Sequence, residues 1–311
     1  MDEREPRIAV VVLTWNGREN TMACLASLER TEGCSLDVIV TDNGSTDGTV
    51  PAVRAAHPAV TVIENGRNLG FAGGNNVGIE LALQRGAEAV LVLNNDTTVE
   101  PQTIATLHRA LTAADDVGAC SPVLTYASQR DRLWFAGSRY DPARGHSGRA
   151  SAYEQGAPLP AAAVPIDRAV GAAMLVRRAC IAEVGAFAEE FFFLYEDVDW
   201  SLRMRSAGWR ILLVPDARVA HRVSASQGGE PMTPTTAYYG TRNDLELGRR
   251  HASLTGARAA ARQALCLLVH LWQLRRAPAG TRLATTRATF EGARDFARGA
   301  LFQRGAPRPS G

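Results

Sequence analysis

The N-terminal third of the chain alternates short, continuous apolar runs with longer amphipathic stretches. Four apolar runs have the length and composition of buried strands and cover residues 8–13, 38–40, 60–63 and 90–93. The stretches between and after them predict helices over residues 19–30, 50–56, 77–85 and 101–113. Strand–helix alternation of this kind is typical of α/β proteins. We therefore predict a Rossmann-like, doubly wound, mostly parallel sheet flanked by helices.

The remainder of the chain is less regular. Residues 125–165 are rich in Gly, Ala, Arg and Pro, and we expect an irregular insert with a hairpin that acts as a mobile flap. An apolar run at 169–176 and a strand at 211–214 extend the sheet, with helices at 177–184 and 198–207. Residues 254–303 are dominated by Ala, Arg and Leu and predict helices broken at Pro278. We predict a sheet domain over 1–226, a C-terminal helical region over 227–304 and a disordered tail over 305–311.

Composition narrows the class of protein. The 311 residues are 46% hydrophobic and 21% charged, which is an ordinary globular profile, and the net charge of +2 gives no reason to expect nucleic acid as a partner. The five cysteines are scattered without a CxxC pair and predict reduced thiols in a cytoplasmic protein. No apolar stretch approaches the roughly 18 residues of a membrane-spanning helix, and the N-terminus lacks the features of a signal peptide.

Polar residues follow each of the four predicted strands. In open α/β sheets, ligands bind outside the carboxyl ends of the strands, so these clusters should meet at one edge. Asn, Asp and Gly also form ordinary turns, and turn formation alone would explain any single cluster. Four clusters at the same edge favour a shared ligand site.

The nucleotide-binding candidates differ from the common glycine-rich loops. Neither GxGxxG nor GxxxxGK[ST] is present. Asp42 and Asp47, after the second strand, are acceptors suited to a base N–H or ribose hydroxyls. Arg67 could meet a phosphate, and the glycines from Gly70 to Gly74 would let the backbone approach a ligand. Alternatively, these glycines only form a tight strand–helix turn.

The fourth strand runs abruptly into Asn94-Asn95-Asp96. Asp96 is an oxygen ligand suited to Mg²⁺ or Mn²⁺ bound together with substrate phosphates. His221 follows a late apolar run and is a candidate second ligand, although a lone histidine is more often structural. No HExxH or Cys/His spacing typical of zinc is present.

Three acids, Glu196, Asp197 and Asp199, follow a run of three phenylalanines. Acids at a helix start are favoured by the helix dipole, which is a purely structural explanation. Desolvation by the aromatic run, together with repulsion among the acids, would raise a carboxylate pKa and suit a general base. On spacing alone the two interpretations remain open.

Taken together and in this order, several segments resemble those of family 2 inverting glycosyltransferases. The segments are VIVTDNGSTDGT at 38–49, NLGFAGGNNVG at 68–78, LNND at 93–96, YEDVDWSLR at 195–203, and the pairs Tyr238-Tyr239 and Arg242-Asn243. The resemblance is to the rhamnosyltransferase-like and galactofuranosyltransferase-like branch and covers roughly residues 7–250. It implies a GT-A fold, with a nucleotide-binding half at about 7–120 and an acceptor-binding half at about 121–226.

The resemblance also implies roles for individual residues. Asp42 would bind the base, Asp96 and His221 would hold Mg²⁺ or Mn²⁺, Asp197 would be the general base and Glu196 would position the acceptor. The other donor-side candidates are Thr14, Asn16, Asp47, Arg67, Asn68, Gly70, Asn75, Asn94 and Asn95, and the other acceptor-side candidates are Asp199 and Trp200. One departure matters: Asn94 stands where the family's DxD motif has its first carboxylate, which removes one negative charge from the metal site.

The expected activity is inverting transfer of a sugar from a dTDP- or UDP-sugar to a hydroxyl of a glycan or lipid-linked acceptor in cell-surface polysaccharide or glycoconjugate synthesis. L-Rhamnose is our first choice of sugar, ahead of galactofuranose. The alternatives are a sugar-phosphate nucleotidyltransferase, which should carry a glycine-rich basic loop after the first strand, and a non-catalytic nucleotide-sugar-binding module. The apolar stretch at 264–272 is flanked by arginines. It predicts either peripheral contact with the inner face of the cell membrane, or a helix packed on the catalytic domain or on a partner in a homodimer.

Overall fold

The computed structural model describes residues 7–145, 149–153, 155–222 and 232–304. The strands are β1 (Arg7–Thr14), β2 (Ser35–Asp42), β3 (Thr61–Glu64), β4 (Ala89–Asn94), β5 (Thr97–Val99), β6 (Val117–Tyr126), β7 (Gln129–Phe135), β8 (Ser138–Tyr140), β9 (Arg149–Ser151), β10 (Val164–Ile166), β11 (Ala173–Arg177) and β12 (Arg210–His221). The helices are α1 (Arg18–Leu28), α2 (Thr49–Ala56), α3 (Gly70–Gln84), α4 (Thr103–Thr112), α5 (Arg178–Val184), α6 (Glu196–Ser206), α7 (Pro234–His251), α8 (Gly256–Gln273) and α9 (Arg282–Ala297).

One large sheet organises the molecule, with the strand order β10-β12-β6-β11-β4-β1-β2-β3. Strands β1 to β4 pair in parallel, and so do β6 and β12. Strand β11 is antiparallel to both of its neighbours, β4 and β6, so it joins two blocks that point in the same direction. Strands β5 and β7 pair with β12 and β6, and β8 and β9 form a separate two-stranded sheet. The predicted mostly parallel α/β sheet is confirmed.

Helices cover both faces of the sheet because side chains alternate along each strand. Ile8, Val10 and Val12 of β1 face the core that α1, α2 and α4 complete, whereas Ala9 and Val11 face the core that α3, α5 and α6 complete. All five of these side chains are fully buried. Burial on both faces is what a continuous apolar run predicts for a central parallel strand.

Several elements differ from their predicted bounds. Helix α3 begins at Gly70 rather than at Val77, so the glycine-rich segment is helical rather than a loop. Strand β6 was not predicted, and β12 is much longer than 211–214 and contains His221 as its last residue. A hairpin of β6 and β7 turns at the start of the insert, and β8 and β9 pair antiparallel within it. The predicted boundary at 226 and the tail 305–311 lie outside the described residues.

Two further expectations concern cysteine and membrane-spanning segments. All five cysteines are buried, and none of them forms a disulfide. Among the helices of the described ranges, none combines the length and apolarity needed to cross a membrane.

Candidate active site

The carboxyl ends of the central strands bring the predicted polar clusters to one edge. Thr14, at the end of β1, is the direct register partner of Asp42 at the end of β2. On the other side of β1, Leu13 pairs with Asn94 of β4. Asn65, which follows β3, donates its backbone N–H to the carbonyl of Asp42 at 2.8 Å. The four strand ends therefore line one continuous rim.

The loops after β1 and β2 are tied together by side-chain hydrogen bonds. Asn16, in the left-handed region at φ 51°, receives a hydrogen bond from the backbone N–H of Thr46 and donates its own N–H to Ser45 Oγ, each at 2.8 Å. Asp47 accepts from the backbone N–H groups at the starts of α1 and α2, Arg18 and Thr49, at 3.1 Å each. The hydrogen bond from the Thr49 side chain lowers the pKa of Asp47. Asn16 and Asp47 thus hold the loops after β1 and β2 against each other.

Asp42 carries a spare acceptor. Its Oδ2 accepts the backbone N–H groups of Gly44 and Ser45 at 3.1 and 2.9 Å. Its Oδ1 is buried and makes no hydrogen bond with any described residue. A buried acceptor without a partner costs about 1–3 kcal/mol, so a ligand N–H or O–H at this position would be strongly favoured. This fits the role in base binding that the sequence predicts for Asp42.

A cluster of asparagines lies next to Asp42, and its centre, Asn43, was not predicted as a site residue from the sequence. Asn43 Nδ2 donates to Asn68 Oδ1 at 3.2 Å and to the Gly70 carbonyl at 3.0 Å, while its Oδ1 accepts from Asn65 at 2.9 Å. Asn68 Oδ1 also accepts the N–H of Gly70 at 2.8 Å. Only its position beside Asp42 distinguished Asn43 from an ordinary turn residue. Arg67 is exposed beside this cluster, on the rim.

The glycine-rich segment packs against protein rather than forming an open loop. Gly70 has a φ of +76°, and a Cβ there would lie 2.4 Å from the carbonyl oxygen of Phe192. That carbonyl accepts the N–H of Phe71, at the start of α3, at 2.6 Å. Asn75 is 1% exposed and donates to the Phe71 carbonyl. Gly70 and Asn75 were predicted to contact the donor. The structure gives Gly70 a role in joining α3 to the segment around Phe192, whereas the hydrogen bond of Asn75 stays within α3 and its Oδ1 is buried without a partner among the described residues.

The three side chains of the Asn94-Asn95-Asp96 turn have different environments. Asn95 Nδ2 donates to the hydroxyls of Thr14 and Thr21 at 3.2 and 3.1 Å, which ties the end of β4 to β1 and α1. Thr14 is 1% exposed and also bonds to Thr21, so its hydroxyl is already engaged. Asn94 is half-buried at the strand end and Asp96 has a side chain 29% exposed. Asn95 and Thr14 thus hold the turn that presents Asn94 and Asp96.

His221 lies against Asp96. Its Nε2 is 3.0 Å from Asp96 Oδ1, and Trp134 packs edge-on against the imidazole with ring centroids 4.3 Å apart. The other ring nitrogen, Nδ1, makes no hydrogen bond with the described residues, so the packing of Trp134 orients the ring. A carboxylate oxygen and an imidazole nitrogen are both donor types found in divalent-metal sites. The oxygen and nitrogen donors therefore fit a divalent cation.

A strained segment leads into the acidic helix. Phe192, Leu194 and Tyr195 all have positive φ values of 59°, 69° and 72°. Bulky residues avoid this region, at a cost of about 1–3 kcal/mol each, and such strain persists only where the surroundings enforce it. Asn243 of α7 supplies part of that enforcement: its Nδ2 lies 2.9, 2.9 and 2.7 Å from the carbonyls of Phe191, Phe193 and Leu194.

The neighbouring Arg242 reinforces the same segment. Its Nη2 donates to the carbonyls of Glu190 and Phe191 at 2.9 Å each. Arg242 and Asn243 are both fully buried in α7. We name these two residues the α7 clamp. The sequence marked the pair only as part of a resembling motif, without a role.

Asp197 sits at the first turn of α6 with its carboxylate held on three sides. Oδ1 accepts the N–H of Val198 at 2.7 Å, and Oδ2 accepts the N–H of Gly171 at 3.1 Å and lies 3.5 Å from Arg168 Nη1. Its side chain is 13% exposed, so a small part remains open to a ligand. Arg168, whose guanidinium also lies over the ring of Phe135, was not singled out from the sequence.

Glu196, one residue earlier, is almost completely buried. Burial, followed by repulsion from Asp197 and Asp199, raises the pKa of Glu196 to about 8. Its Oε2 is buried and makes no hydrogen bond with the described residues. A protonated carboxyl group at this position can donate a hydrogen bond as well as accept one.

Two predicted acceptor contacts are not supported. Asp199 is fully buried and bonds to Arg203 at 2.8 Å and His251 at 2.9 Å. Burial favours its neutral form, but these hydrogen bonds prevail and lower the pKa of Asp199. Trp200 is also fully buried and donates its indole N–H to the Gly185 carbonyl at 2.8 Å. Neither side chain can reach an acceptor, so both are structural.

Two adjacent residues join the acidic helix to the end of β4. The N–H of Gly171 donates to Asp197, and the carbonyl of Ala172 accepts the N–H of Asn94 at 2.9 Å. Asp197 and the Asn94–Asp96 turn are thereby fixed to opposite sides of one short backbone segment. The structure thus brings the candidate base and the candidate metal ligands to the same edge of the sheet.

Comparison with known proteins finds a matching family model and similar sequences. The model of the family described as "Glycosyltransferase like family 2" matches residues 6–238. N-acetylglucosaminyl-diphospho-decaprenol L-rhamnosyltransferase of Mycobacterium tuberculosis (strain H37Rv) is 29% identical over 287 residues, which cover 85% of this chain and 92% of that protein. The dTDP-rhamnosyl transferase RfbF of Shigella flexneri is 24% identical over 250 residues, covering 78% and 80% of the two chains.

Solved structures share the fold. The mannosyltransferase PcManGT from Pyrobaculum calidifontis, in complex with GDP-Man and Mn²⁺, has a TM-score of 0.57 at 20% identity and covers 96% of this chain and 80% of its own. Residues 1–349 of S. aureus TarS in complex with UDP-GlcNAc have a TM-score of 0.53 at 14% identity, covering 98% and 99% of the two chains. The chain has the GT-A fold that its sequence predicts.

Proposed function

The chain belongs to glycosyltransferase family 2, and we propose that it transfers a sugar from a nucleoside-diphosphate donor to an acceptor hydroxyl with inversion at the anomeric carbon. The observation that carries this proposal is the Gly171–Ala172 segment, which bonds to Asp197 on one side and to Asn94 on the other. Inverting transfer needs a base on the face of the anomeric carbon opposite the leaving diphosphate. This segment connects the candidate base, Asp197, to the strand end that carries the candidate metal site.

Donor recognition begins at Asp42. Its spare Oδ1 would accept the N–H of a pyrimidine base, while Asn16, Asp47 and the asparagine cluster hold the surrounding loops. Arg67, exposed on the same rim, would meet a phosphate as an ionic contact. Uracil and thymine both offer such an N–H, so this contact suits UDP- and dTDP-sugars alike.

Asp96 and His221 would hold a divalent cation on the donor side. Bound there with the donor, such a cation supplies positive charge to the diphosphate as it leaves. Mg²⁺ sites are built from oxygen ligands, whereas imidazole nitrogen suits the transition metals better. We therefore propose that Mn²⁺ supports activity better than Mg²⁺. The Mn²⁺ in the PcManGT complex is consistent with this choice.

The reaction would be a single displacement. Asp197 takes the proton of the acceptor hydroxyl, and the hydroxyl oxygen forms a bond to the anomeric carbon. The bond from that carbon to the diphosphate oxygen breaks on the opposite face, so configuration inverts and the nucleoside diphosphate departs. Glu196, protonated at neutral pH, donates a hydrogen bond that orients the acceptor.

The relatives guide the choice of substrates. Two relatives are described as rhamnosyl transferases, one of them acting on N-acetylglucosaminyl-diphospho-decaprenol. We propose dTDP-L-rhamnose as the donor, with UDP-galactofuranose next, and a lipid-linked glycan hydroxyl as the acceptor. The product would enter cell-surface polysaccharide or glycoconjugate synthesis.

A panel of dTDP-, UDP- and GDP-sugars, each with Mn²⁺ or Mg²⁺, tests this function. We expect release of nucleoside diphosphate from one pyrimidine donor, at a higher rate when a polyprenyl-diphosphate N-acetylglucosamine acceptor is added. Proton NMR of the product would show the inverted anomeric configuration. Retained configuration, or release of pyrophosphate instead of a nucleoside diphosphate, would contradict the proposal.

A further inference from the structure

The exposed apolar surface of the protein is concentrated on the two last helices. Among the described residues, the large apolar side chains that are exposed are Trp15, at the donor rim, and five others on α8 and α9. Those five define what we call the C-terminal apolar face: Leu265, Leu268, Trp272, Leu283 and Phe290. A concentration of this kind marks an interaction surface, whereas scattered exposed apolar residues do not.

Helix α8 exposes apolar residues and buries polar ones, which is the reverse of the usual amphipathic helix on the surface of a globular protein. Its exposed side carries Leu265, Leu268 and Trp272, which are 42%, 63% and 58% exposed and lie at the i, i+3 and i+7 spacing of one helix face. The side buried against the protein carries polar and small residues, namely Arg262, Cys266, His270 and Gln273. An apolar stripe should face the core, and here it faces outward.

Buried ion pairs fix this orientation. Arg262 donates to the side chain and the carbonyl of Asp244 in α7, at 2.8 and 2.7 Å, and His270 Nε2 lies 3.3 Å from the other oxygen of the same carboxylate. Rotating α8 to bury its leucines would break these contacts and leave a buried charge without a partner. The apolar stripe therefore cannot turn inward.

Helix α9 follows the same plan. It buries its small residues, among them Gly292, where a Cβ would lie 2.4 Å from the carbonyl oxygen of Tyr238 in α7. It exposes Leu283 and Phe290 at 84% and 51%. Close packing against α7 thus holds α9 with its large apolar side chains outward.

The charge around this face is strongly positive. Residues 254–304 contain nine arginines, of which Arg262 is buried against Asp244, and two acids, Glu291 and Asp295. Both acids are engaged within the protein, Glu291 by Arg287 and Asp295 by the hydroxyl of Tyr238 at 2.8 Å. Arg275, exposed with its neighbour Arg276, lies with its guanidinium carbon 3.2 Å from the centre of the Trp272 ring.

We propose that the C-terminal apolar face docks on an anionic lipid bilayer, with α8 and α9 lying in the interface rather than crossing it. Leucine and aromatic side chains next to arginines match the boundary between acyl chains and acidic headgroups. A second copy of the chain fits less well, because a symmetric contact would bring the same arginines face to face. The proposal does not rest on the proposed function, since it involves neither donor nor acceptor.

Flotation with vesicles tests the proposal on the full chain. With vesicles of phosphatidylcholine containing about 30% phosphatidylglycerol, we expect the protein to float, and with pure phosphatidylcholine to bind at least about tenfold more weakly. Leu268→Gln/Trp272→Gln should abolish flotation. Trp15→Gln is the matched control, because Trp15 and Trp272 are each 58% exposed. Arg275→Gln/Arg276→Gln should lose at least about tenfold in binding, whereas Arg109→Gln/Arg130→Gln, outside α8 and α9, should not.

Circular dichroism and the melting temperature would show that the variants are folded, as expected for exposed positions. Wild-type protein that stays in the buffer with anionic vesicles at low salt overturns the proposal. So does equal flotation of the Leu268→Gln/Trp272→Gln variant. A wild-type dimer in light scattering that Trp272→Gln dissociates would assign the face to a second copy instead.

Discussion

The imidazole Nε2 of His221 lies 3.0 Å from Oδ1 of Asp96, although the two residues are 125 positions apart in the chain. Strand β5 brings them together, because it continues directly from Asp96 and pairs Thr97 with His221. We predict that His221→Gln weakens Mn²⁺-dependent binding of the nucleoside diphosphate at least about tenfold. Calorimetric titration with and without Mn²⁺ measures this difference.

A matched control is available in His57. It is also buried and forms a similar pair with a carboxylate, with its Nδ1 2.6 Å from Glu29 Oε1. His57→Gln should leave the Mn²⁺ dependence unchanged. Equal Mn²⁺ dependence in His221→Gln and the wild type would remove His221 from the metal site.

At Asn94 a candidate metal ligand can be added instead of removed. Asn94→Asp adds a carboxylate at the end of β4, and more ligand charge tightens the binding of hard cations. We expect the Mn²⁺ concentration for half-maximal activity to fall several-fold. Asn95→Asp, one residue later, should only lose stability, because Asn95 donates to Thr14 and Thr21. If both variants changed the Mn²⁺ requirement equally, a general charge effect would explain the result.

Asp197 and Asp199 are two acids on one helix with different predicted roles. Asp197→Asn should lower the rate of transfer by about 10²–10⁴-fold while donor affinity stays unchanged, because a general base is lost. Asp199→Asn should lower the free energy of unfolding by about 3 kcal/mol, because it leaves Arg203 and His251 without their buried partner. Single-turnover kinetics and urea unfolding separate the two. Undiminished transfer by Asp197→Asn would exclude it as the base.

The sequence predicted which residues lie at the edge of the sheet better than it predicted the hydrogen bonds that hold them there. Apolar runs fix where strands end, so the shared rim of Asp42 and Asn94 followed from pattern and general sheet geometry. His221 was a candidate ligand from its place after an apolar run, but only the resemblance paired it with Asp96, since no spacing links the two residues. The backbone N–H of Gly171 carries no sequence signal, which is why its bond to Asp197 was not foreseen.

The prediction for Asp199 illustrates a different kind of error. Successive residues turn by about 100° around a helix, so Asp199 lies about 200° from Asp197. The two acids therefore face opposite sides, and only one can line the site. Helical geometry applied to residues 196–200 would have separated Asp199 from Asp197. It would not have excluded Trp200, which lies only about 60° from Asp197 around the helix but is buried with its indole N–H bonded to the Gly185 carbonyl.

The raised pKa of Glu196 makes activity and stability depend on pH. Burial and repulsion from Asp197 raise the pKa of Glu196 to about 8 from a model-peptide value of 4.5. The folded state therefore keeps a proton that the unfolded state loses, and its stability decreases as pH rises from about 4.5 to about 8. We predict that Glu196→Gln raises the free energy of unfolding relative to wild type, and more at about pH 9 than at about pH 5.

The same proton should affect turnover. Wild-type activity should fall as pH rises through about 8, because ionised Glu196 can no longer donate a hydrogen bond to the acceptor. Glu196→Gln, which keeps a donor at all pH values, should lack this fall. A pH–rate profile of both proteins tests this, and identical high-pH limbs would assign the fall to another group.

The α7 clamp offers a test of how strain supports the site. Asn243→Ala would leave the carbonyls of Phe193 and Leu194 without this donor, whereas the Phe191 carbonyl keeps Arg242, and we expect a cost of about 1–3 kcal/mol in the free energy of unfolding. The positive φ values at Leu194 and Tyr195 would then relax and displace the start of α6. We expect kcat to fall at least about tenfold with the donor KM unchanged, because misplacing a reacting group by an ångström is that costly.

Asn76→Ala is the matched control for the clamp. Asn76 also holds a loop backbone, donating to the carbonyl of Phe187 and accepting its N–H at 2.9 and 3.0 Å, but it acts before the strained residues begin. It should therefore lose stability to a similar extent and retain most of kcat. Urea unfolding and steady-state kinetics on both variants supply the comparison. Equal losses of kcat at equal losses of stability would mean that Asn243 only stabilises the fold and does not position Asp197.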